Sequence, residues 1–358
     1  MIDFTFHTPS NILFRAGASG KIAGLLKGCK AARVLLVTDK NVRAAGLTRK
    51  AEAAIAEAGI KLTVFEDVVA DPPEHVIETP ADLCFERGCA AVLSIGGGSA
   101  LDTAKLVAYL ARNPDKLDDI YGVGLATGER LPLLLVPTTA GTGSEVTPIA
   151  IVTTPTNEKK AVVSPRLIAD WVILDPELTL GLPRHVTAAA GIDAMVHAIE
   201  AYTGKINKNP ISDQLALKAP AMLSDNLRKV CRDGSNLEAR SEMLLGSMLA
   251  GMAFAHSPVA AVHGARLSDR RDLPCVARPL QCAGPALRVG IQPVGGPKHS
   301  MPSFPKLSIP AIAGSPTRRT LRPSSPRSRR SDATARCPAR FRRSESAKAI
   351  FPSWRRTR

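Results

Sequence analysis

The sequence predicts an α/β fold followed by an all-helical domain, and three observations support this prediction. Short apolar runs alternate with helical patterns over residues 1–181, which is typical of a parallel sheet with helices on both faces. Residues 182–263 carry long alanine- and leucine-rich segments with helical periodicity. Residues 264–358 are rich in Arg, Pro and Ser and show neither pattern, so we expect a disordered tail there.

The individual elements follow from the spacing of apolar residues. The run 33–39, Arg-Val-Leu-Leu-Val-Thr-Asp, predicts a strand buried on both faces of a parallel, Rossmann-like sheet. A hinge is expected near Asp175-Pro-Glu-Leu and Leu182-Pro183, with a cleft between the two domains. The other predicted strands are 61–65, 90–95 and 131–136, and the predicted helices are 41–58, 74–87, 100–112, 187–202, 212–225 and 237–255.

The net charge of +15 is concentrated in the tail. The whole chain has 47 basic and 32 acidic residues, of which the last 95 residues contain 21 and 4. Residues 1–263 are therefore slightly acidic, which argues against nucleic acid as a partner of the folded part. A tail that binds RNA, DNA or an acidic surface stays open as an alternative.

The sequence also predicts a cytoplasmic protein. It contains no apolar run of about 18 residues, and its N-terminus lacks a basic segment followed by an apolar core, so we expect neither a membrane span nor a signal peptide. Its seven cysteines are scattered without a Cys-x-x-Cys pair, as suits reduced thiols.

Two loops of small residues follow predicted strands. The first, Gly96-Gly97-Gly98-Ser99, precedes a helix, whose free amides and positive end can meet a phosphate. The second, residues 137–145, offers threonine hydroxyls and exposed amides that suit a pyrophosphate or ribose. Each loop by itself is equally well explained as a tight turn. Because they end successive strands of one sheet, together they predict a dinucleotide site.

Asp39 ends the first long strand and has two interpretations. Its carboxylate can accept from a ribose 2′-hydroxyl and repel a 2′-phosphate, which predicts NAD rather than NADP. The alternative is an N-cap for the helix that begins near Asn41.

Asp193 and His197 stand four residues apart in a predicted helix. At 3.6 residues per turn both side chains leave the same face, so they can provide two metal ligands. A satisfied polar pair on an ordinary helix is the alternative.

Four ordered motifs resemble the iron-containing, or group III, alcohol dehydrogenases. They are Gly-Gly-Gly-Ser-Ala-Leu-Asp-Thr-Ala-Lys (96–105), Pro-Thr-Thr-Ala-Gly-Thr-Gly-Ser-Glu-Val-Thr (137–147), Leu-Asp-Pro-Glu-Leu (174–178) and Gly-Ile-Asp-Ala-Met-Val-His-Ala-Ile-Glu-Ala-Tyr (191–202). The resemblance implies a nucleotide-binding α/β domain and a helical domain that holds a divalent metal on one Asp and three His. It further implies hydride transfer between an alcohol carbon and NAD, and a homodimer or larger assembly.

The resemblance also implies roles for particular residues. Asp193, His197 and His263 correspond to three metal ligands, although His263 alone would be interpreted as a core or surface histidine. The metal is expected to be Fe(2+), with Zn(2+) as the alternative because Asp and His donors suit both. The implied cofactor contacts are Asp39, Gly97, Gly98, Ser99, Thr138, Thr139, Thr142 and Lys160.

The fourth ligand is missing from the chain. The family has a His-Gly fourteen residues after the third ligand, where this sequence has Ala277. Residues 264–285 can be encoded so that removing one base gives Ala-Leu-Ala-Tyr-Pro-Ile-Gly-Gly-Ile-Phe-His-Val-Ser-His-Gly-Leu-Ser-Asn-Ala-Leu-Val, with a His at that position. We therefore expect that residues from about Gly264 are translated out of frame and that the helical domain, 182–263, is incomplete.

Two other functions stay open. One is a related reductase of maleylacetate or of a hydroxy-acid, which substrate profiling would distinguish. The other is a nucleic-acid-binding protein made of an inactive dehydrogenase domain and the basic tail. Salt-sensitive binding that requires residues 264–358 would favour it.

Overall fold

The computed structural model describes residues 3–257. Its strands are β1 Asn11–Phe14, β2 Arg33–Val37, β3 Lys61–Phe65, β4 Ala91–Gly96, β5 Gly122–Val123, β6 Leu133–Pro137, β7 Ile149–Thr153, β8 Lys159–Val163 and β9 Trp171–Leu174. Its helices are α1 Ile22–Gly28, α2 Lys40–Ala44, α3 Arg49–Glu57, α4 His75–Glu86, α5 Gly98–Leu110, α6 Leu117–Ile120, α7 Arg184–Thr203, α8 Pro210–Arg232 and α9 Leu237–His256. His263 and the tail 264–358 lie outside the described residues.

The main sheet has the order β1-β9-β6-β4-β2-β3, with every neighbouring pair parallel. Strand β2 shows why the sequence builds this layer. Val34 and Leu36 pack into the apolar cluster on one face of the sheet, and Leu35 and Val37 pack into the cluster on the other. A strand that is apolar at every position is thereby buried on both faces, and the predicted parallel α/β layer is confirmed.

The single helix predicted over 41–58 is wrong. The chain forms α2 and α3 instead, separated by Gly46, whose φ of 75° lies in the left-handed region that favours glycine. An alanine-rich composition predicts helix through this segment, but the glycine ends the first helix as a C-terminal cap does.

A second, smaller sheet was not predicted. It has the order β5-β8-β7, with β7 and β8 antiparallel. Ala150 and Val152 of β7 are fully buried while their neighbours are partly exposed, so one face of this hairpin packs on the core.

The helical segment is confirmed, and each of its three helices is longer than predicted. Helices α7, α8 and α9 pack against one another, and Gly191 lets them come close, because a Cβ there would lie 2.6 Å from Met243 Cε and 2.7 Å from Leu227 Cδ1. Within residues 3–257 no helix has the length and apolar character to cross a membrane.

Asp175, in the predicted hinge, is a buried anchor. Its carboxylate accepts hydrogen bonds from the amides of Gly17 (2.9 Å), Ser19 (3.0 Å) and Glu177 (3.2 Å). It therefore ties the loop after β1 to the loop after β9, next to the place where those two strands pair. The boundary between the two domains at residues 181 and 182 stays a prediction.

Candidate functional site

An open cleft of about 590 Å³ lies at the carboxyl edge of the main sheet. The chain leaves β2 for β3 on one side and comes back to β4 on the other, so the cleft occupies the switch point where open α/β sheets bind ligands. The residues that line it are Asp39, Lys40, Asn41, Glu66, Asp67, Val68, Val69, Ala70, Gly97, Gly98, Ser99 and Ala100.

Asp39 lines the cleft and also caps a helix. Its Oδ1 accepts from the amides of Asn41 (2.9 Å) and Val42 (3.0 Å), so the N-cap interpretation is correct. The cap uses one carboxylate oxygen only. The other, Oδ2, lies 3.9 Å from where a Cβ on Gly96 would stand, beside the glycine-rich loop.

The two small-residue loops contact each other directly. A Cβ on Gly98 would lie 2.8 Å from Thr142 Cγ2, and one on Gly97 would lie 3.8 Å from Thr139. The amide of Thr138 donates to Gly96 O at 2.9 Å, continuing the pairing of β4 and β6. Gly97 is the N-cap of α5, no side chain caps the first turn of that helix, and Gly97, Gly98 and Ser99 line the cleft. The structure thus brings together seven of the eight predicted cofactor residues.

Lys160 is not part of this group. It lies on β8, with its Nζ 3.7 Å from Asp118 Oδ1 and 4.8 Å from the centre of the Tyr121 ring, and it does not line the cleft. Its role as a cofactor contact stays a prediction.

A buried polar network that sequence reasoning did not assign holds the second loop in place. Lys105 of α5 is fully buried, and its Nζ donates to Ser144 Oγ (2.9 Å), Thr147 Oγ1 (3.1 Å) and Ile149 O (2.7 Å). Its ion-pair partner is Asp102, at 3.2 Å. Burial lowers the pKa of Lys105, and the Asp102 carboxylate opposes that effect.

Asp102 completes this network. Its Oδ1 accepts from the Ser144 hydroxyl, and its Oδ2 accepts from the amide of Ile151 at 3.1 Å. The only hint in the sequence was the pairing of an Asp and a Lys three residues apart in an otherwise apolar helix. Their partners lie 39 to 49 residues later, which spacing cannot predict.

Glu145 is a second buried charge that was not assigned. It is 2% exposed and follows Ser144 in the same loop, and burial raises its pKa to about 7. Lys105 acts in the opposite direction, but burial is the larger effect.

Asp193 and His197 lie on α7, one turn apart. His197 is 7% exposed, and its ring stacks on Phe254 of α9 with 4.6 Å between ring centres. This stacking fixes the plane of the imidazole. Within residues 3–257 no three side chains of His, Cys, Asp or Glu come together as a metal site, and His263 falls outside that range.

Helix α7, which carries the Asp–His pair, and helix α9 both contact the second loop. A Cβ on Gly141 would lie 2.8 Å from Ala190 Cβ, and a Cβ on Gly143 would lie 2.4 Å from Gly251 Cα. Loop and helices therefore meet backbone to backbone, so α7, which bears Asp193 and His197, and α9 both pack on the loop that carries the predicted threonine contacts.

The fold and the cleft are those of the dinucleotide-binding α/β type, with three packed helices after the sheet. The family model for iron-containing alcohol dehydrogenases matches residues 9–176, and the model for the C-terminal part of that family matches residues 187–267. The chain belongs to the iron-containing alcohol dehydrogenase family.

Individual relatives agree with this assignment. Sulfoacetaldehyde reductase of Bilophila wadsworthia is 37% identical over 73% of this chain and 67% of its own length. Long-chain-alcohol dehydrogenase 1 of Geobacillus thermodenitrificans is 40% identical over 69% of this chain and 63% of its own. The alignments thus span about two thirds of these relatives.

Solved structures show the same fold. A 1,3-propanediol oxidoreductase superposes with a TM-score of 0.73 at 34% identity, covering 76% of this chain and 72% of its own. Sulfoacetaldehyde reductase from Bifidobacterium kashiwanohense, solved in complex with NAD+, gives a TM-score of 0.67 at 30% identity over 72% of this chain and 69% of its own.

Proposed function

We propose that this chain binds NAD in the cleft at the edge of the main sheet. The observation that carries the proposal is the cleft itself, which is lined by Asp39 on one side and by Gly97, Gly98 and Ser99 on the other. The glycines let the pyrophosphate approach the first turn of α5, and Thr138, Thr139 and Thr142 provide hydroxyls beside it. Asp39 Oδ2 would accept from the ribose. The related structure solved with NAD+ supports this assignment.

We further propose that Asp193 and His197 are two of the ligands of a divalent metal, Fe(2+) or Zn(2+). One carboxylate and one imidazole a helical turn apart, with the ring plane held by Phe254, suit either ion. His263 is proposed as the third ligand. When bound, the metal supplies Lewis-acid chemistry that lowers the pKa of an alcohol and polarises an aldehyde.

The reaction that follows is hydride transfer between an alcohol carbon and NAD. The residues of the chain bind the cofactor, orient it through the two loops and present the Asp–His pair where α7 and α9 pack on the second loop. The named activities of the two relatives above, on sulfoacetaldehyde and on long-chain alcohols, support a primary alcohol and its aldehyde as the reacting pair.

We propose that this chain itself holds metal poorly and turns over little substrate, because a fourth ligand is absent. Ala277 stands where the family has a His, and the match to the C-terminal family model ends at residue 267, near the expected change of frame at Gly264. Both facts support an out-of-frame C-terminal quarter. The cytoplasmic location and the homodimer or larger assembly stay predictions.

NADH binding is tested by fluorescence titration of the full chain. We expect saturable binding, weaker in Gly98→Ala because the new Cβ would press on Thr142. Gly20→Ala is the matched control, since a Cβ at Gly20 meets nothing within 4 Å. If the wild-type chain shows no saturable binding, or if both variants behave alike, the cofactor site is wrong.

The metal site is tested by repairing the reading frame. Resequencing the gene across codon 264 comes first, since independent reads that support the existing frame would contradict the frameshift. A chain repaired by removal of one base should retain one equivalent of iron or zinc and oxidise simple primary alcohols. The 358-residue chain should retain far less metal, and stoichiometric metal with normal turnover in it would refute the proposal.

A further inference from the structure

Cys84 and Cys89 form a thiol pair at the end of α4, away from the cleft. The helix ends with Gly88 at a φ of 60°, and the amide of Cys89 donates to Cys84 O at 3.0 Å while the amide of Gly88 donates to Phe85 O at 3.0 Å. These two bonds define a Schellman motif, in which the side chains at the positions of Cys84 and Cys89 contact each other. Here that contact consists of two thiols.

The surroundings of Cys89 are those of a reactive thiol. Its sulfur accepts hydrogen bonds from the Cys84 thiol and from the Thr63 hydroxyl, and the charges of Arg33 and Arg87 act on it. The bond from Cys84 is the largest effect, burial acts in the opposite direction, and the net result is a pKa of Cys89 lowered to about 7. Arg33 is held over the loop, because its Nη1 donates to Arg87 O at 3.0 Å.

The other thiols in residues 3–257 have raised pKa values. Burial raises the pKa of Cys29 and Cys231, and the bond that Cys84 donates to Cys89, together with burial, raises that of Cys84. Cys84 is fully buried, whereas Cys89 is 8% exposed. The pair therefore has one more acidic sulfur that keeps a small exposed fraction and one fully buried, protonated sulfur next to it.

We propose that Cys84 and Cys89 are a peroxide-sensitive pair that closes to a disulfide, with Cys89 reacting first. The Cys89 thiolate attacks hydrogen peroxide, so that an S–O bond forms, the O–O bond breaks and hydroxide leaves. The Cys84 sulfur then attacks the resulting sulfenic acid, the S–O bond breaks, and the Cys84 proton leaves with the hydroxide as water. Two thiols and one peroxide give one disulfide and two waters.

The backbone favours this closure. A disulfide requires two Cα atoms about 4.4–6.8 Å apart. The backbone hydrogen bond between the two residues and the hydrogen bond between their thiols hold both the chain and the sulfurs close together. Closure needs no separate segment to move, since both cysteines belong to one helix end.

The experiment treats the folded full chain with hydrogen peroxide, blocks remaining thiols with an alkylating agent in urea and identifies the peptides by mass spectrometry. We expect a Cys84–Cys89 link that dithiothreitol reverses, at exposures that leave Cys29 and Cys231 alkylated. In Cys84→Ala, dimedone should trap a sulfenic acid on Cys89, and Cys231→Ala should leave the link unchanged.

Two results would overturn the proposal. One is alkylation of both Cys84 and Cys89 at an exposure that has already oxidised Cys29 or Cys231. The other is a link that forms in the urea-unfolded chain but not in the folded one, which would show that the helix end keeps the sulfurs apart. Neither readout depends on NAD, metal or turnover.

Discussion

Replacing Lys105 with Met should destabilise the fold strongly, although the side chains have similar length. The substitution leaves the Asp102 carboxylate without its cation and removes the donor to Ser144, Thr147 and Ile149. Removing one partner of a buried ion pair costs about 3–5 kcal/mol, because the remaining charge stays desolvated. Lys105 is fully buried and the Asp102 side chain is 15% exposed, so little screening by water reduces this cost.

The assay is urea unfolding followed by circular dichroism, with a double-mutant cycle. Lys50→Met is the matched control, since Lys50 pairs with Glu177 at 2.5 Å but is 61% exposed, and we expect a loss of about 1 kcal/mol or less. Adding Asp102→Asn to Lys105→Met should recover part of the loss, because the stranded charge is removed. Equal losses for Lys105→Met and Lys50→Met, or strictly additive effects of the pair, would refute the reasoning.

Three further predictions concern the loops. Gly143→Ala should lower the free energy of unfolding in urea by roughly 2–5 kcal/mol, because φ is 61° and the new Cβ would lie 2.4 Å from Gly251 Cα. The control Gly59→Ala, at φ 74° with nothing within 4 Å, should lower it by only about 1 kcal/mol. Equal losses in the two variants would contradict the contact. Burial raises the pKa of Glu145 to about 7, so the folded state holds a proton that the unfolded state loses above pH 4.5. The contribution of Glu145 to the free energy of unfolding should be complete below pH 4.5 and fall by about 3 kcal/mol as the pH rises through 7. Glu145→Gln should remove that fall, and parallel pH curves would exclude it. Asp39→Asn should keep the N-cap and weaken NADH binding, whereas Asp39→Ala should also lose about 1 kcal/mol of stability. Unchanged NADH titrations in both would dismiss the ribose contact.

The part of the fold that the sequence predicted well is the part in which local pattern and tertiary burial agree. Strand 33–37 is apolar at all but its first position and is buried on both faces, so its pattern has one interpretation. The β7–β8 hairpin was missed because its strands bury only one face, and Thr153, Lys159 and Lys160 give the segment around the turn a polar composition that also fits a loop. Gly46 shows the converse error, since one left-handed residue interrupts a composition that otherwise favours helix.

The sequence predicted those parts of the candidate site that lie in the loops directly after parallel strands. The two loops converge because β2, β4 and β6 are neighbours, as parallel topology requires. The network of Lys105 and Asp102 was not predictable, because its partners are joined by the packing of α5 on β7 rather than by any spacing along the chain. Asp39 shows that one side chain can leave room for both interpretations: Oδ1 caps α2, while the ribose contact of Oδ2 stays a prediction.

The partner strand of β1 is synthesised long after β1 itself. β1 pairs only with β9 in the described part of the sheet, and Asp175 fastens the loop that follows it, so the first strand cannot dock until about 160 further residues have left the ribosome. Until then Phe4, Ile12 and Phe14 form an unpartnered apolar segment on the nascent chain, and they stay partly exposed even after folding. A ribosome that stalls before codon 171 would therefore release a fragment with an unpaired strand. The free backbone groups of such a strand can pair with another chain and cause aggregation.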